Sequence, residues 1–155
     1  MKYKLVAFWL VVFGALFAFL QTRFEYHFYY IEQSQLFLFT EAYIRNKLLL
    51  PGGFSMLVAE FLVQFFIRPY VGALVTAALL TGVGVCTAGI VKRIAPISGL
   101  FILYVLPMLA LLFMHFDFNY RVQGTVCYLM MMALLCGYMR IRNDLFRLVA
   151  GCVLV

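Results

Sequence analysis

The sequence predicts an all-α, polytopic integral membrane protein, because it is rich in apolar residues, poor in charge and divided into long apolar runs. Of the 155 residues, 66% are hydrophobic and 12% are charged, whereas a soluble domain has about 45–50% apolar and about 25% charged residues. No segment shows the alternating pattern of roughly 10 residues that marks a membrane strand. We expect a helical bundle with about four full spans, amphipathic or re-entrant helices and a truncated final span.

Four apolar runs are the predicted spans. Residues 5–20 carry no charge, and no A-x-A cleavage site follows them, which favours an uncleaved anchor over a signal peptide. Residues 70–91 form the clearest span, with Pro69 at its start, where a helix tolerates proline. The other two predicted spans are residues 94–114 and 122–139.

A fifth apolar run begins at Leu145 and continues to Val155. Its eleven residues would rise only about 16 Å as a helix, half of the hydrocarbon thickness. A carboxylate at that depth is costly. We therefore expect residues 1–155 to be a single transmembrane domain within a longer protein, with a short interfacial tail helix as the alternative.

Residues 54–67 are ambiguous, because Glu60, Gln64 and Arg68 share one stripe of an otherwise apolar helix. The segment could cross the membrane with Glu60 facing other helices, or it could lie at the interface. In both cases we expect Glu60 to avoid lipid. Gln64 is its expected partner, with a residue of the first outer loop completing the site.

The basic residues favour the arrangement in which residues 54–67 do not cross and the N-terminus is cytoplasmic. The cytoplasmic flanks then hold seven bases against one acid, and the outer side holds five of each, which follows the positive-inside rule. If residues 54–67 do cross the membrane, the basic residues follow the same rule only when Met1 lies on the outer side. Both arrangements place residues 92–93 and 140–147 in the cytoplasm, and we expect a bacterial inner membrane.

The net charge of +6 does not indicate a nucleic-acid-binding protein, because the bases form short clusters at the ends of apolar runs. The expected partners are the bilayer, a lipid-linked sugar and other membrane subunits. The cysteines lie inside apolar runs without a C-x-x-C motif, so they are interpreted as buried apolar side chains. They are Cys86, Cys127, Cys136 and Cys152.

Residues 21–53 are predicted to form an extracytoplasmic loop with a juxtamembrane helix. Within them, residues 32–47 look helical and amphipathic, with Glu41 and Arg45 as an i, i+4 ion pair. The sequence Pro-Gly-Gly at 51–53 predicts a turn before the next helix.

Polar groups concentrate in the loops of the predicted outer face. Both histidines and five of the six acids fall there, and such a cluster beside a membrane cavity permits proton transfer or ligand binding. His27 and His115 lack a second ligand at helical spacing, so no transition-metal site is predicted. A divalent cation held by Glu25 and Asp117 is the one cofactor candidate.

The layout resembles the N-terminal half of the polytopic C-type glycosyltransferases. The shared features are a cytoplasmic N-terminus, one span, a long outer loop with an acid soon after that span, two interfacial helices and closely spaced spans. The resemblance covers residues 1–120 and implies that Glu25 and Asp117 match the acids of the first two outer loops. It also implies that residues 32–47 and 54–68 match the juxtamembrane helices. This chain departs from the family in three ways. Glu25 stands where the family usually has Asp, no second acid adjoins Glu25, and the family has more membrane spans than this chain.

The first functional hypothesis is therefore a lipid-linked sugar transferase. Glu25 would act as the base on the acceptor hydroxyl or as a cation ligand, and Asp117 would support it. A guanidinium group suits the lipid phosphate, because it binds two oxygens at once. The candidate phosphate ligands are Arg45, Arg68 and Arg121.

Two alternatives remain open. One is a non-enzymatic subunit or scaffold that packs against a larger partner through the small residues of the span 70–91. The other is part of a transporter with Glu60 as an intramembrane ion site, which requires residues 54–67 to cross.

Overall fold

The computed structural model describes residues 2–94, 101–117 and 119–141. Within these residues the chain is all-α, with seven α-helices, one 3-10 turn and no strand, which confirms the all-α part of the predicted fold class. The elements are α1 (Lys2–Arg23), α2 (Glu25–Ser34), α3 (Glu41–Leu48), α4 (Gly53–Val63), the 3-10 turn (Gln64–Ile67), α5 (Val71–Ile94), α6 (Phe101–Met114) and α7 (Val122–Tyr138).

Helix α5 is the centre of the bundle, because it packs against α1, α6 and α7. Small residues allow these close contacts. A Cβ atom on Gly84 would lie 2.6 Å from the ring of Trp9 in α1, and one on Gly82 would lie 3.2 Å from Leu129 in α7. Larger side chains at these two positions would push the neighbouring helices away.

Helices α1 and α5 run antiparallel along most of their length. The start of α1 lies beside the end of α5, and the end of α1 lies beside the start of α5. Leu5 and Lys92 line one groove, the Trp9 ring packs against Gly84, and Gln21 and Tyr70 line a cleft towards the other end. The intervening segment 24–70 therefore leaves and rejoins the bundle at the same end.

We call this the histidine end, because His27 and the His115 turn lie there. The opposite end is the lysine end, where α1 begins and where the last turn of α5 contains Lys92. Arg93 donates a hydrogen bond to the carbonyl of Met139, which places the end of α7 at the lysine end as well.

Two of the described helices, α1 and α5, are long and apolar enough to cross a membrane. Helices α6 and α7 are apolar but shorter, with 14 and 17 residues. The predicted span 94–114 is helical from Phe101, and residues 95–100 lie outside the described part of the chain. The predicted final run, from Leu145, also lies outside it.

The single helix expected over residues 32–47 is wrong. The chain is helical over α2 and α3, and residues 35–40 between them are not helical. The ring of Phe37 packs edge-on against Phe61 of α4, with the centroids 5.8 Å apart. The side-chain amide of Gln64 donates to the carbonyl of Phe37 at 2.9 Å. Residues 35–40 thus pack on α4 through the Phe37 ring, and the 3-10 turn supplies a donor to the Phe37 carbonyl, which has no helical partner.

The turn predicted at 51–53 is confirmed, with Gly52 in the left-handed region at φ 72°. The expected ion pair between Glu41 and Arg45 does not form among the described residues, in which Lys47–Glu60 is the ion pair. Both Glu41 and Arg45 are exposed, and two solvated charges gain little from pairing.

Candidate functional site

The candidate site lies at the histidine end, where the junction of α1 and α2 meets the turn between α6 and α7. Phe24 at the first junction stacks on Phe116 of the second, with ring centroids 5.1 Å apart and an interplanar angle of 11°. The next residues along the chain are Glu25 and Asp117. The stacked rings therefore bring the two acids predicted as catalytic to one corner of the molecule.

A buried hydrogen-bond network lies next to these stacked rings, between the α6–α7 turn and α7. The Nε2 atom of His115 lies 2.9 Å from the Oγ1 atom of Thr125 in α7. The Tyr120 hydroxyl lies 3.2 Å from that Thr125 Oγ1 atom. His115 is 3% exposed and Thr125 is fully buried. The network joins the α6–α7 turn to the first turns of α7.

Burial controls the protonation of His115. Loss of hydration lowers its pKa to about 4, and His27, when it is protonated, acts in the same direction. The imidazole is therefore neutral at pH 7, with one ring nitrogen that carries a proton and one that accepts a hydrogen bond.

His27 in α2 lies within electrostatic reach of both His115 and Asp117. Its burial lowers the pKa, and the negative charge of Asp117 opposes that shift. The ring meets Phe24 edge-on, with the centroids 5.9 Å apart. A neutral imidazole beside a carboxylate can accept a proton from a bound hydroxyl group.

Asp117 is exposed and has a structural contact of its own. Its Oδ1 atom accepts the backbone N–H of Asn119 at 2.9 Å, and its carbonyl accepts the N–H of Tyr120 at 3.1 Å. The carboxylate therefore helps to form the turn, as Asp commonly does through an Asx turn.

Glu25 shares a narrow cleft with Arg68, between the start of α2 and the start of α5. Tyr70 lines the same cleft in a left-handed conformation at φ 71°, which costs about 1–2 kcal/mol for a residue other than glycine. Gly72 is needed beside it, because a Cβ atom there would lie 2.6 Å from the ring of Phe28. Backbone strain of the kind found at Tyr70 is often seen at binding sites.

The other predicted phosphate ligands are placed differently. Arg121 is exposed and immediately precedes α7, in the turn that contains Asp117. Arg45 lies on α3, where it lines a separate surface hollow with Glu41 and Leu48. The structure thus groups Arg68 and Arg121 with the histidine end and leaves Arg45 elsewhere.

Glu60 forms a second polar network, between α3 and α4. Its carboxylate accepts hydrogen bonds from the Tyr43 hydroxyl and from the Lys47 ammonium, the latter at 2.6 Å. Burial, aided by the hydrogen bond and the charge of Glu60, raises the pKa of Tyr43 to about 12.

The expected pairing of Glu60 with Gln64 is wrong, whereas the expected contact with the first outer loop forms through Tyr43 and Lys47. The amide of Gln64 bonds to the Phe37 carbonyl instead, and Glu60 is bound by side chains of α3. An ammonium and a phenol are stronger donors to a carboxylate than a neutral amide is.

No group of three or more His, Cys, Asp or Glu side chains among the described residues is arranged to hold a metal. Glu25 and Asp117 alone would supply two carboxylates to a divalent cation, which takes at least six oxygen ligands. Water and substrate oxygens would have to supply the rest.

Sequence reasoning missed Thr125, Tyr43 and Lys47 as network members. A threonine within an apolar helix carries no recognisable signal, because it often bonds only to its own backbone. Tyr43 and Lys47 carried no such signal either, because only the fold brings α3 beside Glu60.

No curated protein matches the chain, and no solved structure matches it. One family model, described as a family of unknown function, matches residues 1–155. The chain therefore belongs to the DUF6057 family.

Proposed function

We propose that the chain is the membrane-embedded part of an enzyme that transfers sugar from a lipid-linked donor, with its active site at the histidine end. The observation that carries this proposal is that Glu25 and Arg68 line one cleft. The stack of Phe24 on Phe116 places the Asp117 turn at the same end of the bundle. Two carboxylates and a guanidinium group are the side chains that such a transfer needs, for proton removal and for phosphate binding.

Each residue has a defined role in the proposal. Glu25 removes the proton from the acceptor hydroxyl or binds a divalent cation, and Asp117 supports it from the adjacent turn. Arg68, in the cleft with Glu25, binds the phosphate of the lipid carrier, and Arg121 adds positive charge from the second turn. The neutral His115 network holds that turn in place.

The distribution of charge supports a membrane orientation with the histidine end outside and the lysine end in the cytoplasm. Basic residues flank α1 and α5 at the lysine end, where no acid lies in the first turn of α1, in line with the positive-inside rule. Four membrane crossings, by α1, α5, α6 and α7, are part of the proposal.

The transporter alternative receives less support from the geometry. Glu60 is neutralised by Lys47 at 2.6 Å, and the segment 24–70 returns to the end from which it leaves. An intramembrane ion site would need a helix that crosses the membrane.

The experiment compares Glu25→Gln and Asp117→Asn in the complete protein, using membranes supplied with a radiolabelled polyprenyl-phosphate sugar. Glu32→Gln is the matched control, because Glu32 lies on the same helix but away from the cleft. We expect Glu25→Gln to lower transfer by about 10²–10⁴-fold, the range for loss of a general base. Transfer that is unchanged in both site variants would refute the assignment.

Orientation is tested separately with single cysteine reporters. An impermeant thiol reagent added to intact cells should label a cysteine at Asn119 and not one at Arg140. Labelling at Arg140 alone would overturn the orientation, whatever the result of the transfer assay.

A further inference from the structure

An apolar groove between α1 and α5 lies towards the lysine end, away from the proposed active site. Its volume is about 670 Å³, within the range of about 300–1,000 Å³ for small-molecule sites. Leu5, Leu10 and Phe13 form one wall, and Ala78, Val85 and Gly89 of α5 line the other. The groove is open along the outside of the bundle.

The groove has one charged residue, and that residue lies at its end. Lys92, in the last turn of α5, lines the groove and is exposed, with its ammonium 5.8 Å from the ring centroid of Tyr104. Lys4 precedes the first lining residue of α1 and is also exposed. No acidic side chain lines the groove.

The length of the groove fits one leaflet of a bilayer. From Lys92 to Ala78 the helix α5 rises about 21 Å, and the hydrocarbon of one leaflet is about 15 Å thick, half of the roughly 30 Å core. An acyl chain can therefore follow the groove while its headgroup stays at the level of Lys92.

We propose that this groove binds an anionic phospholipid, with one acyl chain between α1 and α5 and the phosphate beside Lys92. The long side chain of lysine can reach the headgroup while its methylene groups remain against the apolar wall. Positive charge at the headgroup level selects anionic lipids over zwitterionic ones. The inference uses the membrane placement proposed above and is independent of the transferase activity.

Trp9 provides a direct probe, because it is the one tryptophan of the chain and it lines the groove. The full chain is reconstituted into phosphatidylcholine vesicles that contain a small fraction of phospholipid with a brominated acyl chain. Bromine quenches tryptophan fluorescence at short range. The brominated lipid is phosphatidylglycerol in one series and phosphatidylcholine in the other.

We expect brominated phosphatidylglycerol to quench Trp9 at about fivefold lower mole fraction than brominated phosphatidylcholine. One basic residue near the membrane surface contributes a preference of that size. Lys92→Gln should abolish the preference, whereas Arg23→Gln, which removes one charge from the far end of α1, should preserve it.

A second pair of variants tests the groove itself. Val85 lines it and is 45% exposed, so Val85→Phe should fill it and reduce quenching by both lipids. Leu106→Phe is the control, because Leu106 lies on α6, is 60% exposed and does not line the groove.

Two results would overturn the proposal. Equal quenching by both lipids in the unmodified chain would mean that Lys92 does not select an anionic headgroup. Absence of quenching by either lipid would mean that no acyl chain enters the groove, as when a second copy of the chain fills it. Failure of the chain to enter vesicles at all would instead refute the membrane placement.

Discussion

The two polar networks of this apolar chain differ in burial and in charge. The histidine network, formed by His115, Thr125 and Tyr120, is mostly buried and neutral. The glutamate network, formed by Glu60, Lys47 and Tyr43, contains an ion pair whose side chains are 23% and 14% exposed. A buried neutral network depends on every partner and on pH, whereas a partly solvated ion pair contributes less and responds to salt.

The strongest test of this contrast is His115→Ala. The substitution removes a buried ring and leaves the Thr125 hydroxyl without that partner, so we expect the free energy of unfolding to fall by about 3 kcal/mol. The measurement is unfolding of the purified chain in detergent. Asn119→Ala, in the same turn but exposed, should stay within about 0.5 kcal/mol. Equal effects of the two variants would mean that the network does not stabilise the bundle.

The second test is the dependence of the free energy of unfolding on pH. The pKa of His115 is about 4 in the folded chain and about 6.5 in an unfolded one, so the unfolded state binds more protons between these values. Stability is therefore fully present above pH 6.5 and falls as the pH decreases towards 4. Between pH 7 and pH 5 we expect a loss of about 2 kcal/mol.

The lower pKa of His27 acts in the same direction, so the His115→Gln variant should keep part of this pH dependence. Unfolding midpoints at matched ionic strength measure it. A chain that becomes more stable as the pH falls from 7 to 5 would contradict the buried, neutral state of His115.

The contrast also shows how far sequence reasoning reaches. The apolar content predicted the helical class, and the lengths of the apolar runs predicted the positions of the two longest helices. Both properties of the fold are set by local composition. The grouping of Glu25 with Asp117 on one face was expected from the loop order, and the stacking of Phe24 on Phe116 gives it a physical basis.

Partners across long sequence separations were not predictable in the same way. The stripe of Glu60 suggested a polar neighbour, but the choice of Lys47 over Gln64 depends on how α3 folds back on α4. Residues 35–40 were expected to be helical because their pattern is amphipathic, and tertiary contacts of Phe37 override that local preference.

A third test is a double-mutant cycle on the ion pair, with Glu60→Gln and Lys47→Met. We expect a coupling free energy of about 1 kcal/mol, at the upper end for exposed pairs because both side chains are mostly buried, and a smaller value at high salt. The control cycle uses Glu41→Gln and Arg45→Met, whose charges lie one helical turn apart without an ion pair. A coupling as large in the control cycle would show that long-range charge, and not the Lys47 contact, is responsible.

The smallest expected effect comes from removing one hydroxyl from each network, in Tyr43→Phe and Tyr120→Phe. Tyr43 donates to a carboxylate, and hydrogen bonds to charged acceptors are the stronger kind. Tyr120 lies 3.2 Å from a neutral hydroxyl, and Thr125 keeps His115 as a partner when that contact is lost. We therefore expect Tyr43→Phe to destabilise the chain more, by a difference of about 0.5 kcal/mol in the free energy of unfolding. If Tyr120→Phe has the larger effect, the charged acceptor adds nothing beyond burial, and the histidine network is the more tightly coupled of the two.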